Sequence, residues 1–380
     1  MGIWRAGAQG CIAAARERSA RGGFCGAGAA AGLLAKKSGL PPLGATHTPA
    51  RNQPLECPVK FPVLGIVLFA LSCATQAASF DCKKAQSKME KAICDNPKIS
   101  KLDEDLAENY QTAKGKLSAD AQKVFVAGQR SWVKFLSTSC FTDLEAKPAN
   151  KEDAAQCLET EYKARLAGFK STGSMVSGFK IYAYFDGDFK AFPKEEQIAS
   201  IRRNLVLIDD ASDNASIMNA AIKSAEKVTI DKETDIGFIS STSNTLTGLG
   251  TDLIMLTHSG ESSGGAHPDS FTGYQYFSKE LKRFVKFSDV FSSPKWKAVA
   301  QQIAKKHFEK EKAMEDVLSL EIRAEESDAF RYMLVDKGFS VEGFTSYAAR
   351  AVDGVTMNWD AFSKFLTPKG KELSLVKLPK

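Results

Sequence analysis

The sequence predicts a two-domain α+β protein, in which a small disulfide-stapled helical bundle precedes an α+β domain built on an antiparallel sheet. Three observations support this prediction. Four cysteines cluster at 82–157, a helical hydrophobic period runs through 87–169, and short apolar and aromatic segments of strand type recur after residue 179. A chain of 380 residues has room for two domains that each bury a core.

The basic balance of the chain lies in its first 77 residues. The formal net charge is +6, and residues 1–77 carry eight basic against two acidic residues. Without that segment the basic and acidic residues are equal in number. The charge therefore does not predict a nucleic acid or an anionic membrane as a partner.

Residues 59–77 have the pattern of a secretory signal peptide. Lys60 precedes an apolar run at 61–71, and small and polar residues lead to Ala77, where we expect the cut. The run is shorter than the ~20 apolar residues that a membrane span needs. A buried core helix is disfavoured by the proline and the glycine within the run. We therefore predict a periplasmic or secreted protein with no transmembrane span in its mature chain.

Residues 1–58 form a leader rich in Ala, Gly and Arg, which we do not expect in the mature protein. Alone, this composition would also fit an organelle transit peptide. We favour a start at Val59 from a non-standard start codon, because the next Met after the first residue is Met89. Acylation at Cys73 is an alternative, but the leucine ahead of it stands one position late for a lipobox.

The predicted mature chain keeps an even set of four cysteines, Cys82, Cys94, Cys140 and Cys157. In an exported protein this predicts two disulfides. A metal site is disfavoured, because residues 78–257 contain no histidine and no Cys-x-x-Cys pair. Of the three possible pairings we favour Cys82 with Cys94 and Cys140 with Cys157. Each closes a short loop, which stabilises the fold by ~3 kcal/mol.

Residues 87–169 are predicted to form four helices joined by short loops. The first covers 87–94, and longer helices begin after Asn96, after Ser118 and near Lys151. Apolar residues recur at three- and four-residue steps in each of them. Together they predict a small bundle stapled at both ends.

Short motifs along this bundle resemble one family. In chain order they are Ser79-Phe80-Asp81-Cys82, Glu90-Lys91-Ala92-Ile93-Cys94, Leu102-Asp103 to Tyr110, Gln129-Arg130-Ser131-Trp132, Cys140, and Cys157-Leu158 with Tyr162 and Arg165. Over residues 79–170 they are similar to the LprI-type lysozyme-inhibitor family. That resemblance implies an exported, cysteine-bridged, non-enzymatic domain, and some members of the family bind and inhibit lysozyme.

Residues 171–178 are predicted to be a linker, because they are rich in Ser and Gly. An α+β domain is predicted at 179–376. Its segments of strand type lie near 179–185, 200–208, 253–257, 271–277 and 282–287, followed by a helix at 296–318 and by strand and short-helix composition at 339–365.

A long glycine-rich loop is predicted at 259–269, between two antiparallel strands. Our candidate partner-binding residues in it are Gly264, Gly265, His267 and Asp269. An alternative role for this region is metal binding or acid–base chemistry by His258, Glu261, His267 and Asp269. We favour the simpler interpretation, in which His267 packs on its own loop, because no third histidine or spaced cysteine lies nearby.

The second region also carries a resemblance. Its motifs are Gly264-Gly265-Ala266-His267-Pro268, Tyr274-Gln275-Tyr276-Phe277, Phe287-Ser288-Asp289-Val290-Phe291, and Tyr347-Ala348-Ala349-Arg350-Ala351-Val352-Asp353-Gly354. Over 179–376 they are similar to the C-terminal domain of the anti-sigma factor RsiV and of the deacetylase PdaC. RsiV's membrane anchor and PdaC's catalytic domain are not evident. The resemblance to RsiV implies a lysozyme receptor.

Both resemblances imply the same partner. We therefore predict a non-enzymatic binding protein of the cell envelope, with a lysozyme or another muramidase as its partner and with no cofactor, metal or catalytic residue. One alternative is a cell-wall or metal-dependent hydrolase that uses residues 258–269, and another is a structural envelope protein. A serine hydrolase is not predicted, and neither is a phosphate-binding loop, since Gly-Lys-Ser/Thr does not occur. The acidic run at 103–105 is expected partly on the exposed side of its helix.

Overall fold

The computed structural model describes residues 78–224, 229–264, 268–310, 329–341 and 354–378. These residues belong to one compact unit of the chain. The predicted leader and signal peptide, Cys73, Gly265 and His267 lie outside the described residues. The fold class is the predicted one: a helical region with two disulfides is followed by an α+β region with a mostly antiparallel sheet.

Four helices follow a 3-10 turn at Cys82–Lys84. They are α1 Lys88–Asp95, α2 Pro97–Gly115, α3 Ala119–Ser139 and α4 Lys151–Ser171. Each begins after a residue whose side chain accepts a hydrogen bond from a backbone N–H of the first turn, namely Ser87, Asn96, Ser118 and Asn150. Such caps satisfy N–H groups that have no partner within the helix. The predicted helix starts are therefore confirmed.

The disulfides join Cys82 to Cys94 and Cys140 to Cys157, which is the pairing favoured by loop length. The first ties the 3-10 turn to α1, and the second ties the end of α3 to α4. The helical region is thus cross-linked at both ends, and each bond closes a short loop.

A sheet of seven strands follows, with its strands in chain order. They are β1 Met175–Val176, β2 Phe179–Phe192, β3 Gln197–Asp209, β4 Ile239–Leu249, β5 Leu253–Ser263, β6 Asp269–Ser278 and β7 Arg283–Phe284. All neighbours pair antiparallel except β3 and β4, which are parallel. A parallel pair needs a crossover connection, and helix α5 (Asp213–Ser224) lies in that connection.

The C-terminal part packs around an aromatic core. A second, three-stranded sheet consists of β8 Met333–Val335, β9 Gly338–Val341 and β10 Val355–Asn358. The helices of this part are α6 Phe287–Val290, α7 Trp296–Lys310 and α8 Pro368–Ser374, with a 3-10 helix at Trp359–Phe365. Phe291, Trp296, Phe330 and Phe339 are buried together in this core.

The helical region and the large sheet share one hydrophobic core. Phe125 of α3 and Tyr162 of α4 are buried in the same cluster as Phe185 of β2 and Leu205 of β3. Two helical glycines allow the close approach. A Cβ at Gly128 would meet the backbone of Phe185 at 3.1 Å, and one at Gly168 would meet Ala183 Cβ at 3.0 Å.

The segment predicted to be a linker contacts the outer edge of β2. It contains the last residue of α4, Ser171, and strand β1. The Thr172 hydroxyl accepts from the Ala183 N–H at 3.1 Å, and the Ile181 N–H donates to the Ser174 carbonyl at 2.9 Å. Backbone groups at a sheet edge otherwise lack partners. These contacts, with the packing of α3, cover an edge that β1 alone leaves mostly unpaired.

The prediction of a long glycine-rich loop at 259–269 is wrong, because strands extend into both ends of this segment. Residues 259–263 belong to β5, and Asp269 already belongs to β6. β5 pairs with β4 on one side and with β6 on the other. These two ladders outweigh the low strand propensity of Gly and Ser, which depends strongly on context.

Candidate functional site

The end of the β5–β6 hairpin is the predicted partner-binding region. Pairing of the two strands continues to Ser262 and Asp269. Gly264 follows with φ +131°, and a Cβ there would stand 2.9 Å from Phe238 Cα. Only glycine adopts this conformation without strain, and only glycine fits the space. Gly264 therefore fixes the hairpin end against the segment ahead of β4. Asp269 is exposed in β6, whereas Gly265 and His267 lie outside the described residues.

An exposed aromatic ring lies next to this end. A register row crosses four strands on one face of the sheet through Arg203, Thr242, Gly260 and Phe271. A Cβ at Gly260 would stand 2.6 Å from the Phe271 ring, so the ring lies directly on the Gly260 backbone. Phe271 is still 43% exposed. The hairpin thus presents a fixed apolar surface, which no sequence pattern indicated.

His258 lies on the same face of the sheet, two residues before Gly260 along β5. It is opposite Asn244 of β4 and Gly273 of β6. Burial of its ring lowers the pKa of His258, and the positive charges of Arg203 and Arg331 lower it further. The imidazole is therefore neutral at neutral pH. Within the described part of the chain, no side chain forms a hydrogen bond with it.

The described members of the predicted metal or acid–base cluster do not come together. Glu261 is three residues from His258 on one strand, so the two side chains point to opposite faces of the sheet. Asp269 pairs with Ser262, four residues from His258 and therefore roughly 13 Å along the strand. A shared metal ion or proton is excluded for these three side chains.

Arg203 lies on the same face of the sheet as Gly260 and Phe271. It is buried and donates to the carbonyls of Ile222 and Lys223, at 3.2 and 2.7 Å, at the end of α5. A cation at a helix C-terminus is favoured by the helix dipole. Its register partner on β2 is Asp186, whose pKa is raised by burial against the opposing effect of Arg203. This part of the face is therefore a support for the sheet and not an open site.

Two charged family-motif residues of the helical region, Asp103 and Arg165, lie inside the protein. Arg165 is 5% exposed, its Nε donates to Gln129 Oε1 at 3.0 Å, and its guanidinium lies 4.7 Å from the centre of the Phe169 ring. Burial lowers the pKa of Arg165 to about 9, which leaves it cationic at neutral pH. Next to it, Glu161 pairs with Arg202 of β3. These side chains position the helices on the sheet and are not available to a partner.

Asp103 is a buried acceptor that sequence reasoning left at the surface. In its run only Glu104 is exposed, whereas Asp103 is buried, with 8% of its surface exposed. It accepts hydrogen bonds from the Ser79 N–H at 2.9 Å, from the Ser79 hydroxyl at 2.6 Å and from the Tyr162 hydroxyl at 2.8 Å. Its spacing of four residues from the buried Ile99 placed it on the inner helix face, which was the available signal.

Within the described residues, one cluster of three carboxylates has the arrangement of a metal site. Its members are Asp252, Glu280 and Glu372. Lys369 Nζ lies 3.1, 3.0 and 2.6 Å from their oxygens, in that order. Burial opposes the charge of Lys369, but hydrogen bonds to the three carboxylates outweigh it and raise its pKa. The ammonium group takes the place that a metal cation would occupy.

Comparison with known proteins shows a family similarity in the helical region. Residues 82–168 match the family described as lysozyme inhibitor LprI. The first resemblance is thereby confirmed for that region. No curated protein matches the chain.

Two solved structures are similar to part of the chain. A DUF3298 family protein from Pseudomonas aeruginosa PAO1 has a TM-score of 0.39 and 12% identity, and the match covers 50% of this chain and 95% of that protein. A DUF3298 family member from Bacteroides fragilis NCTC 9343 has a TM-score of 0.38 and 11% identity, with coverages of 53% and 98%. The resemblance to RsiV and PdaC stays a prediction. Within the described residues no helix is long and apolar enough to cross a membrane.

Proposed function

We propose that this chain is an exported, non-enzymatic protein that binds a lysozyme or another muramidase at the cell envelope and inhibits it. The observation that carries the proposal is the match of residues 82–168 to the lysozyme inhibitor family, with both disulfides of that region closed. Binding to a lysozyme is the direct test of this function.

The two disulfides also support the proposed compartment. Such bonds persist in oxidising compartments and are rare in the reducing cytosol. Both lie after the predicted cut at Ala77, and each is joined to a capped helix. A periplasmic or secreted location agrees with this framework.

The contact surface in the proposal is the β5–β6 hairpin. The buried positions of Arg165, Tyr162 and Asp103 exclude them from direct contact with a partner. Phe271, by contrast, is held on the Gly260 backbone with its ring exposed. Preordered aromatic side chains are frequent energetic centres of protein interfaces. We assign the partner contact to Phe271 together with Gly264, Gly265, His267 and Asp269.

The test is a titration of the oxidised chain 78–380 against lysozyme, with binding and muramidase inhibition measured in parallel. We expect a dissociation constant below micromolar and loss of muramidase activity at saturation. Absence of binding at micromolar concentration would overturn the proposal and leave a structural envelope protein as the alternative.

A pair of variants tests the contact surface separately. Phe271→Ser removes the exposed ring and should weaken binding at least about tenfold, corresponding to ~1.4 kcal/mol. Ile217→Ser is the matched control, since Ile217 is 38% exposed on α5, outside the hairpin. Equal affinities for the two variants would remove the hairpin from the interface without removing the partner. The hydrolase alternative is not proposed, since His258 and Glu261 face opposite sides of the sheet.

A further inference from the structure

The residues that follow the predicted cut at Ala77 are held inside the helical region. Ala78 is 7% exposed and belongs to the same hydrophobic core as Ile93, Leu106 and Trp132. Ser79 donates to Asp103 through its N–H and through its hydroxyl. The first residues of the predicted mature chain are thus part of the core and not a loose terminus.

Asp103 receives only neutral donors there. Its two carboxylate oxygens accept from the Ser79 N–H, the Ser79 hydroxyl and the Tyr162 hydroxyl. Among the described residues, no Lys, Arg or His forms an ion pair with Asp103. Burying a carboxylate is costly unless it is paired with a cation and hydrogen-bonded. The site therefore supplies hydrogen bonds to Asp103 but lacks the opposite charge.

Cleavage after Ala77 would create that charge at the right place. Hydrolysis breaks the amide bond between Ala77 and Ala78, adds the hydroxyl of water to the Ala77 carbonyl carbon and leaves an amine on Ala78. The amine takes up a proton at neutral pH, because an α-amino group has a pKa of about 7.7–8.0. Two bonded atoms, Cα and C, separate the Ala78 nitrogen from the Ser79 nitrogen, so the two nitrogens are roughly 3–4 Å apart. Since the Ser79 nitrogen is 2.9 Å from Asp103 Oδ2, the new ammonium group lies at most about 7 Å from the carboxylate.

We propose that Asp103 is the binding site for the α-ammonium group of Ala78, and that removal of the N-terminal segment adds this ion pair to the core. The pair fixes the segment from Ala78 to Cys82, and with it the Cys82–Cys94 disulfide at the end of the bundle. In the uncut chain the same nitrogen is a neutral amide, so Asp103 lacks its cation and the bundle is less stable. Processing thereby stabilises the exported form. The inference does not depend on which partner the protein binds.

The experiment compares chains that differ only at the amino terminus. The oxidised chain 78–380 is prepared with a free amine, with an acetylated amine, and as 77–380, which moves the amine one residue away. The pKa of the α-amine is measured from the pH dependence of its reaction rate with cyanate. We expect a value at least one unit above the ordinary range for the free amine of Ala78, a tenfold gain in proton affinity, and an ordinary value for the amine of Ala77.

Asp103→Asn separates the ion pair from general effects of burial. The asparagine retains an oxygen that accepts from Ser79 but carries no charge, so the pKa of the Ala78 amine should return to the ordinary range. The stability advantage of the free over the acetylated amine should be full below pH ~7.7 and be lost as the pH rises through the raised pKa. An ordinary pKa in the unsubstituted chain, or an equally raised pKa in Asp103→Asn, would overturn the proposal. If Asp103→Asn does not fold, the comparison of free and acetylated amines decides without it.

Discussion

Glu161 and Arg202 form an ion pair inside the protein, with Glu161 Oε1 2.9 Å from Arg202 Nη1. Glu161 lies on α4 and Arg202 on β3, so the pair joins the helical region to the large sheet. Their side chains are only 5% and 13% exposed. Since the family match ends at residue 168, it includes Glu161 but not its partner. This contact between the helices and the sheet therefore joins the family-matched region to residues outside it.

Removing one member of this pair should be far more costly than removing both. Arg202→Met leaves the Glu161 carboxylate buried without its cation and should lower the free energy of unfolding by ~3–5 kcal/mol. Glu161→Leu combined with Arg202→Met should recover most of that loss, because Arg202 Nε already lacks a hydrogen-bond partner in the described structure. Urea unfolding of the chain 78–380 measures both values.

The exposed pair of Lys123 with Asp120 provides the control for the buried pair. Lys123→Ala should leave the unfolding midpoint almost unchanged, since exposed ion pairs contribute little. A double variant no more stable than Arg202→Met alone would contradict the assignment of an uncompensated charge.

Gly128 and Gly115 provide a matched test of how closely α3 approaches β2. A Cβ at Gly128 would stand 2.8 Å from Tyr184 Cδ2 and 3.2 Å from the Phe185 carbonyl oxygen, whereas at Gly115 nothing lies within 4 Å. Gly128→Ala should destabilise the protein by about 1–3 kcal/mol because of this overlap. Gly115→Ala should stabilise it by up to ~1 kcal/mol, because alanine is the better helix former. Thermal unfolding of the two variants, with opposite shifts of Tm, checks the prediction, and equal shifts would contradict it.

The helix starts and the cysteine pairing were predictable because their causes are local. Ser87, Asn96 and Ser118 cap the helices that immediately follow them, and each disulfide closes a loop shorter than twenty residues. Both features therefore depend on residues that lie close together in the sequence. The same holds for the longer strands, whose apolar segments were recognised although their ends were not.

The buried charges were not predictable, because their partners are distant along the chain. Asp103 and Tyr162 are 59 residues apart, and Glu161 finds its partner on a strand beyond the predicted linker. A charged residue in a helix is most simply interpreted as a solvated one. The prediction of a loop at the hairpin end was wrong for a related reason. Its Gly and Ser residues indicated a loop, but β4 and β6 pair with β5 on both sides.

His258 should make stability depend on pH near neutrality. Burial, with Arg203 and Arg331, lowers the pKa of His258 in the folded chain relative to ~6.5 in the unfolded chain. The unfolded chain then binds the proton more readily, so stability is full above pH ~6.5 and falls as the pH drops through the folded pKa. His258→Gln should lose less stability than the unsubstituted chain between about pH 7 and pH 5. Urea unfolding at both pH values measures this difference, in which His267 and His307 cancel because both proteins contain them. An NMR titration midpoint for His258 at or above ~6.5 would contradict the prediction.

Lys369 holds three carboxylates together, so its removal should expose a latent cation site. Asp252, Glu280 and Glu372 surround its ammonium group. Burial of the Asp252 carboxyl is outweighed by hydrogen bonds from the Ser278 hydroxyl, the Glu280 backbone N–H and the Lys369 ammonium group, which lower its pKa. Lys369→Met leaves three like charges without their common partner and should lower Tm in the presence of a chelator. Three carboxylates supply up to about six oxygen ligands, a number that suits a calcium ion. Millimolar Ca²⁺ should therefore raise the Tm of Lys369→Met by mass action. The unsubstituted chain should show no such shift, because its own ammonium group occupies the centre. Equal responses of the two proteins to Ca²⁺ would mean that the three carboxylates do not act as one group.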